Sequence, residues 1–350
     1  MSETGAKPQA APPAPKLIDQ LQSGVPPALA MRAGLKLDVF SELSGGPRET
    51  KEIASALGVE PSRLSRLLYA LVAAGLIERH DKGFANSPEA ATYFVKRSPR
   101  YIGGMHELLE ELWRADLETA QSIRSGHPAA LHDFSAMSDD EFSAMLRGMH
   151  PLAMAAGRDL AERFDFSSLH SVVDVGGGSG GLIATLCELN PGMNGLLFEL
   201  PGAARLAEPL LRATPGGDRV AIETGDILRA SPSGSHDAAI LRAFIQVLAP
   251  EDAANAIAHV AAALRPGGAI YIAGSGILDD TRLSPAASVY RNVTFMNLYR
   301  SGASYTESEH ARWLEAAGCG DMQRITLPNG GGVIRATKRP TSDGVNEEQG

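Results

Sequence analysis

The stretch "SVVDVGGGSGG", residues 171–181, decides the fold. Three valines and an aspartate run directly into a glycine-rich loop, and "LIATLCEL" follows with helical texture. A short, nearly continuous apolar run reads as a strand buried on both faces of a parallel sheet. The glycines then let a turn bring backbone close to a ligand. Gly176, Gly178 and Gly181 fit a G-x-G-x-x-G pattern, which by itself serves several nucleotide cofactors.

Downstream, the same texture repeats. "GLLFEL" (195–200), "VAIETG" (220–225), "DAAILRAF" (237–244) and "AIYIAG" (269–274) read as strands, with helical stretches between them. "MQRITLP" and "GGVIRATK" are joined by "NGG", a turn signal for a terminal antiparallel hairpin. Five alternating units plus a hairpin describe an α/β, Rossmann-like seven-stranded sheet. That arrangement suits S-adenosylmethionine (SAM) methyltransferases better than dinucleotide dehydrogenases.

Acids at the strand ends choose between the cofactors. Asp174 is placed to meet a cofactor ammonium group, and a pyrophosphate would be repelled there. Gly176, Gly178 and Gly180 leave room for the methionyl chain. Glu199, followed by Leu200, can accept from both ribose hydroxyls, a role shared with the NAD reading. "GDI", Gly225, Asp226 and Ile227, discriminates: the acid can meet an adenine amino group while the isoleucine lies against the ring. Without a ligand, Asp174 would be a strand-end or cap residue and the glycines a tight turn; four elements in order favour SAM.

Upstream of the sheet the chain is helical. "ETKEIASALGVEPSRLSRLLYALVAAGLIERHDKGFANS" gives a helix closed by Gly58, a second helix opened by Pro61, and a short hairpin. Leu64, Leu67, Leu68 and Leu71 follow helical spacing toward a core. This is a winged-helix pattern, and Arg63 and Arg66 on its second helix allow a DNA-reading alternative. The formal charge of -9 and the absence of a basic face weigh against nucleic acid and anionic membranes. "MHELLEELWRADLETAQSIRSG" forms a helical segment stopping at Gly126. "DDEFSAMLRGMHPLAMAAGRDLAERF" forms another, with Asp139 or Asp140 as cap and Pro151 kinking or interrupting it.

The expected organisation is a tail over 1–16, a helical winged-helix-like domain over 17–165, to which the resemblance drawn below gives dimerisation and pocket helices, a SAM-binding domain over 166–339, and a tail over 340–350. Two cysteines, Cys187 and Cys319, make neither a disulfide framework nor a metal cluster and fit a reducing cytoplasm. The N-terminus lacks a secretory apolar segment and no run reaches membrane-spanning length.

Taken together, "VVDVGGGSGG", "FELPGA", "GDIL", "ALRPGGAIYIAG" and "YTESEHARWLEAAG", with the winged-helix start, resemble the bacterial and plant-type small-molecule O-methyltransferases. That group is similar to caffeate, acetylserotonin and hydroxyneurosporene methyltransferases. The resemblance covers about 17–338. It implies an intertwined homodimer, which removes the DNA-reading role, and a small-molecule pocket between the domains roofed by the helices around His106 and Met149. It also implies a Leu-His-Asp-Trp segment whose histidine deprotonates the acceptor hydroxyl. Here that segment is "LRAFIQVL". Arg242 takes the place of a basic residue beside adenine, Gln246 the place of the histidine, and Ser304 the place of an acidic partner.

A carboxamide cannot take a proton from an alcohol. A thioether sulfur has none to lose, and its methylation needs only orientation, desolvation and a complementary field. The chain therefore resembles the S-methylating branch of the family, acting on a small thioether carboxylate such as 4-methylthio-2-hydroxybutyrate. Gln246 would orient the acceptor. Tyr290, Tyr299 and Tyr305 are candidates to face a developing cation, Arg291 or Arg300 to hold a carboxylate, and Asn297 to line the same pocket. Each is as readily a packed amphipathic residue. The low aromatic content, 5%, leans toward a small or aliphatic acceptor. Three alternatives stand beside this: O-methylation with a displaced base at His150 or His106, a non-methylating SAM enzyme, and a SAM-binding DNA regulator.

Overall fold

The computed structural model describes residues 13–103, 106–134 and 136–340, with the side chains of 106–108 outside that description. Packing divides the chain into two units, one up to His106 and one from Glu107.

The first unit contains α1 (Lys16–Ser23), α2 (Val25–Lys36), α3 (Val39–Glu42), α4 (Thr50–Leu57), α5 (Pro61–Ala73), the hairpin β1 (Ile77–His80) and β2 (Gly83–Asn86), and α6 (Pro88–Tyr93). Gly58 closes α4 in the left-handed conformation at φ 66°, and Pro61 opens α5. Leu64, Leu68 and Leu71 pack with Phe40, Ile53 and Phe84 into one core, with Leu67 at its edge. This is the expected winged helix.

Next come α7 (His106–Leu117), all but its first residue in the second unit, then α8 (Thr119–Ser125) and the 25-residue α9 (Asp139–Arg163). The expected Asp139 or Asp140 cap is instead Ser138. Its hydroxyl accepts from the Glu141 N–H at 3.3 Å, and the Glu141 carboxylate accepts from the Ser138 N–H at 2.9 Å. The two aspartates then sit in the first turn, against the positive end of the helix dipole. Pro151 lies inside α9 without ending it. Leu146, Ala153, Gly157 and Leu160 are buried along one stripe, and that packing carries the helix past the missing hydrogen bond. So 107–163 packs as part of the sheet-bearing unit.

After α9 come β3 (Ser171–Val175), α10 (Gly181–Leu189), β4 (Asn194–Glu199), α11 (Pro201–Ala213), β5 (Val220–Thr224), β6 (His236–Arg242), α12 (Pro250–Ala262), β7 (Leu264–Gly274), β8 (Ile277–Leu278), α13 (Ala286–Leu298), β9 (Tyr305–Thr306), α14 (Glu307–Ala316), β10 (Cys319–Thr326) and β11 (Gly332–Lys338). Seven strands form one sheet in the order β10-β11-β7-β6-β3-β4-β5. Only β11 runs antiparallel to its neighbours. Strand order reverses beside β3, so the C-terminal ends of β3 and β6 open onto the crevice where such sheets bind ligands. Among the described residues no helix is long and apolar enough to cross a membrane, and no group of three His, Cys, Asp or Glu residues is placed to hold a metal.

Candidate functional site

The glycine loop leaves β3 with positive φ at Gly176 (64°), Gly178 (57°) and Gly180 (70°). Two of these answer to different neighbours. A Cβ at Gly176 would lie 2.5 Å from the Phe244 ring, so that glycine serves internal packing. A Cβ at Gly178 would meet only Leu146 Cδ2 at 3.6 Å, so the loop faces open space there. The Gly178 N–H donates to Glu199 Oε2 at 3.0 Å, and the Leu200 N–H donates to Glu199 Oε1 at 2.8 Å. Burial still raises the Glu199 carboxyl above its ordinary range, against those two bonds.

Asp174 is wholly buried, and neither carboxylate oxygen has a hydrogen-bond partner. Desolvation raises its pKa to about 7, with the Arg242 charge opposing and the Glu199 charge assisting. Arg242 is itself depressed by burial and partly recovered by Asp174. An orphaned buried carboxylate beside an open backbone cradle is the arrangement an ammonium-bearing ligand completes. These residues fit SAM: Asp174 would meet its ammonium, the Gly178 loop would line its methionyl chain, and Glu199 would hold its ribose.

The "GDI" turn follows β5. The Gly225 N–H donates to the Glu199 carbonyl at 3.0 Å, linking the two acidic segments. Asp226 Oδ1 accepts from the Leu228 N–H at 3.0 Å, and Arg229 Nε lies 3.3 Å from Oδ2. Its carboxylate thus already closes a local turn. Ile227 is buried, and its carbonyl accepts from His259 Nδ1 at 2.6 Å. That clasp is not legible in the sequence, because nothing in the "AIAHVA" pattern marks a helix-borne histidine as reaching another loop. Nor did it mark Ala243, which takes a left-handed φ of 53° between Arg242 and Phe244.

Gln246 sits in a 3₁₀ turn after β6 and is buried. His150, the candidate displaced base, has both ring nitrogens engaged. Thr214 Oγ1 donates to the Leu210 carbonyl at 2.7 Å and therefore accepts from His150 Nε2–H at 3.0 Å. Nδ1 is then left to accept from Ser179 Oγ at 2.9 Å. Burial lowers the pKa of the imidazole. His150 braces α9 against the glycine loop and the end of α11, and it presents no free lone pair to an acceptor.

The other acceptor-side residues separate. Met149 is partly buried on α9, and His106 begins α7 with a side chain outside the described ones. Tyr290 and Arg300 are exposed. Arg291 is partly buried, and its charge opposes the burial that pushes the Tyr299 phenol up to about 12. Asn297 is wholly buried and donates to Thr119 Oγ1 at 2.9 Å, with its Oδ1 unpartnered. Tyr305 donates to the Leu248 carbonyl and packs edge-on against Trp313, so it is a core residue. Ser304 is buried; its N–H donates to Asn292 Oδ1 and its hydroxyl to the Ser288 carbonyl.

Residues 20–96 match the O-methyltransferase dimerisation domain, and residues 116–320, more than half the chain, match the O-methyltransferase domain. Among curated relatives, the 3-hydroxy-5-methyl-1-naphthoate 3-O-methyltransferase of Streptomyces sahachiroi is 25% identical over 93% of this chain and 95% of its own. The 8-amino-8-demethylriboflavin N,N-dimethyltransferase of Streptomyces davaonensis is 30% identical over 68% of this chain and 71% of its own. The structure of human N-acetylserotonin methyltransferase in complex with SAM superposes with a TM-score of 0.81 at 20% identity, covering 97% of this chain and 100% of that one. The chain belongs to the O-methyltransferase family, with the family's dimerisation domain preceding its methyltransferase domain.

Proposed function

We propose that this SAM-dependent methyltransferase works as a homodimer and methylates a small molecule whose attacking atom is a neutral lone pair, without a side-chain general base. One observation carries the reading. Gln246 occupies the position where the family resemblance places the base, and of the two displaced candidates His150 has both nitrogens bonded at 2.9 and 3.0 Å, while the His106 side chain lies outside the described ones. SAM supplies an electrophilic methyl on a sulfonium. The chain holds the donor through Asp174, the glycine loop and Glu199, and buries the Gln246 side chain away from bulk solvent. The Gln246 amide orients the acceptor by hydrogen bonding, which suffices when no proton leaves in the chemical step.

Two acceptor classes meet that condition. A small thioether carboxylate such as 4-methylthio-2-hydroxybutyrate is the one the missing base favours, because sulfur is nucleophilic without deprotonation. An amine is the second, supported by the N,N-dimethyltransferase among the relatives. The deciding experiment incubates the purified protein with SAM and a panel of thioethers, amines, thiols and phenols, followed by mass spectrometry. A sulfonium or N-methyl product is expected. Methyl ethers alone, formed at a rate that collapses in His150→Gln, would return the protein to base-assisted O-methylation.

The homodimer rests on α1 and α2. Leu17, Ile18, Leu21, Val25 and Leu29 are all exposed there, an apolar stripe of the kind a partner surface covers. Light scattering should report a dimer at micromolar concentration, and a monomer would contradict the assignment.

A further inference from the structure

Behind Gln246 lies a cavity of about 10 Å³. Its wall is formed by apolar side chains and glycines, among them Ile272, Gly274, Gly276 and Ile277; only Gln246 and His310 bring polar side chains to it. We propose that His310 positions the Gln246 carboxamide through a single water held in this cavity. The inference rests on the reading that Gln246 meets the acceptor.

His310 lies on α14, 1% exposed, with Tyr305 and Trp313 edge-on against its ring. Its Nδ1 lies 2.8 Å from the Thr306 carbonyl. A carbonyl only accepts, so Nδ1 carries the proton, and in the neutral ring Nε2 is a bare acceptor. The cavity volume matches the room one water needs, and a buried water requires two or more polar partners. A water donating one hydrogen to His310 Nε2 and the other to Gln246 Oε1 is satisfied by the two polar side chains on the wall. Gln246 Oε1 borders Gly274 on this wall, 3.6 Å from where a Cβ on that glycine would lie, which is ordinary contact. With its oxygen so occupied, the carboxamide has one orientation and turns its NH₂ donors to the acceptor. Proton uptake is a poor role for His310. Burial lowers the pKa of its imidazole, and charging it among aromatic rings is costly.

The test reads His310 directly. In the protein saturated with S-adenosylhomocysteine, ¹⁵N-imidazole NMR should show a neutral Nδ1–H tautomer with a hydrogen-bonded Nε2. Gln246→Leu should move the Nε2 resonance toward the unbonded value. An unbonded Nε2 in the parent protein, or a resonance that Gln246→Leu leaves in place, overturns the proposal. Two variants then separate positioning from folding. His310→Asn keeps a donor near the Thr306 carbonyl but loses the acceptor at the cavity; His310→Gln puts an amide near the Nε2 position. With whichever of 4-methylthio-2-hydroxybutyrate or the panel amine is turned over, KM for the acceptor should rise about 3–10-fold in His310→Asn. It should recover in His310→Gln, with the dissociation constant for SAM unchanged in both. Equal damage in both variants, tracking their melting temperatures, would make His310 a core residue only. If no panel compound is methylated, the acceptor assignment falls and the NMR comparison still decides the role of His310.

Discussion

At the end of β3 a buried carboxylate, Asp174, stands without a hydrogen-bond partner. On α9, at His150, both ring nitrogens are bonded within the protein. The first pattern is a site left for a ligand to complete. Holding Asp174 near pKa 7 rather than 3.8 corresponds to about 4 kcal/mol between its protonation states, a cost that a ligand ammonium offsets on binding. The second pattern is a finished scaffold. At these two positions the group proposed to meet a ligand and the group that builds the fold differ in what they lack, and each can be broken separately.

Gly178→Val has the largest expected effect. The substitution adds branched carbon to the open face of the glycine loop at a φ of 57°, where a side chain is strained. SAM binding should fall below detection by calorimetry while the protein still melts cooperatively. Binding at parental affinity would mean the loop faces something other than the methionyl chain.

Asp174→Asn comes next. Losing a charge-assisted contact is worth about 1.5–3 kcal/mol, or roughly 10–100-fold in the dissociation constant for SAM. The sign of the pH dependence follows from the raised pKa. Below about 7 the free protein carries a proton on Asp174, and the ammonium must displace it. SAM affinity should therefore rise as pH increases toward 7 and level off above it, with proton release detectable in buffers of different ionisation enthalpy. For the free protein the same raised pKa runs the other way: stability falls as pH climbs from the unfolded value of 3.8 through 7. Asn at this position should flatten both profiles.

This contrast also explains how much of the molecule could be read in the sequence. The strands of the parallel sheet declared themselves as apolar runs, and Asp174, Gly178 and Glu199 lie at their ends because strand ends open onto the crevice. The hairpin of β10 and β11 was visible through "NGG". Contacts made across elements were not legible. The Ser138 cap was hidden beside two equally good cap residues, and the continuity of α9 through Pro151 depends on what packs against it. Tyr305 offers the same residue type to the reader whether it faces a substrate or, as here, donates to the Leu248 carbonyl in the core. A one-dimensional pattern offers His150 as a possible base because it says nothing of Ser179 and Thr214 closing on its two nitrogens.

His150→Gln tests that finished scaffold. Gln can keep one of the two bonds, so stability should fall by about 1–2 kcal/mol, read as a lower denaturant midpoint. Turnover should stay within about tenfold of the parent, whereas loss of a general base would cost roughly 10²–10⁴-fold. The pH dependence of stability gives a second check. Burial lowers the folded-state pKa of His150, so the stability it contributes is present above the unfolded value near 6.5 and lost as pH falls through the folded one. The variant should lose stability less steeply on acidification than the parent.

The smallest expected effect belongs to Gln246→Ala. The side chain is buried and carries neither charge nor useful basicity, so removing it deletes at most one orienting hydrogen bond to the acceptor. That is worth about 0.5–1.5 kcal/mol, and most of it should appear in KM for the acceptor. The cofactor end proposed at Asp174 and the glycine loop does not pass through Gln246, so SAM affinity should be unchanged. If the methyl goes to a lone pair with no proton released in that step, the rate at saturating acceptor should also lack, in both parent and variant, the acidic-limb inflection that a general base would give. A collapse of kcat on removing Gln246, or an inflection that appears in the parent and vanishes in Gln246→Ala, would place proton transfer at this position and overturn the division between a ligand-completed cofactor end and a base-free acceptor end.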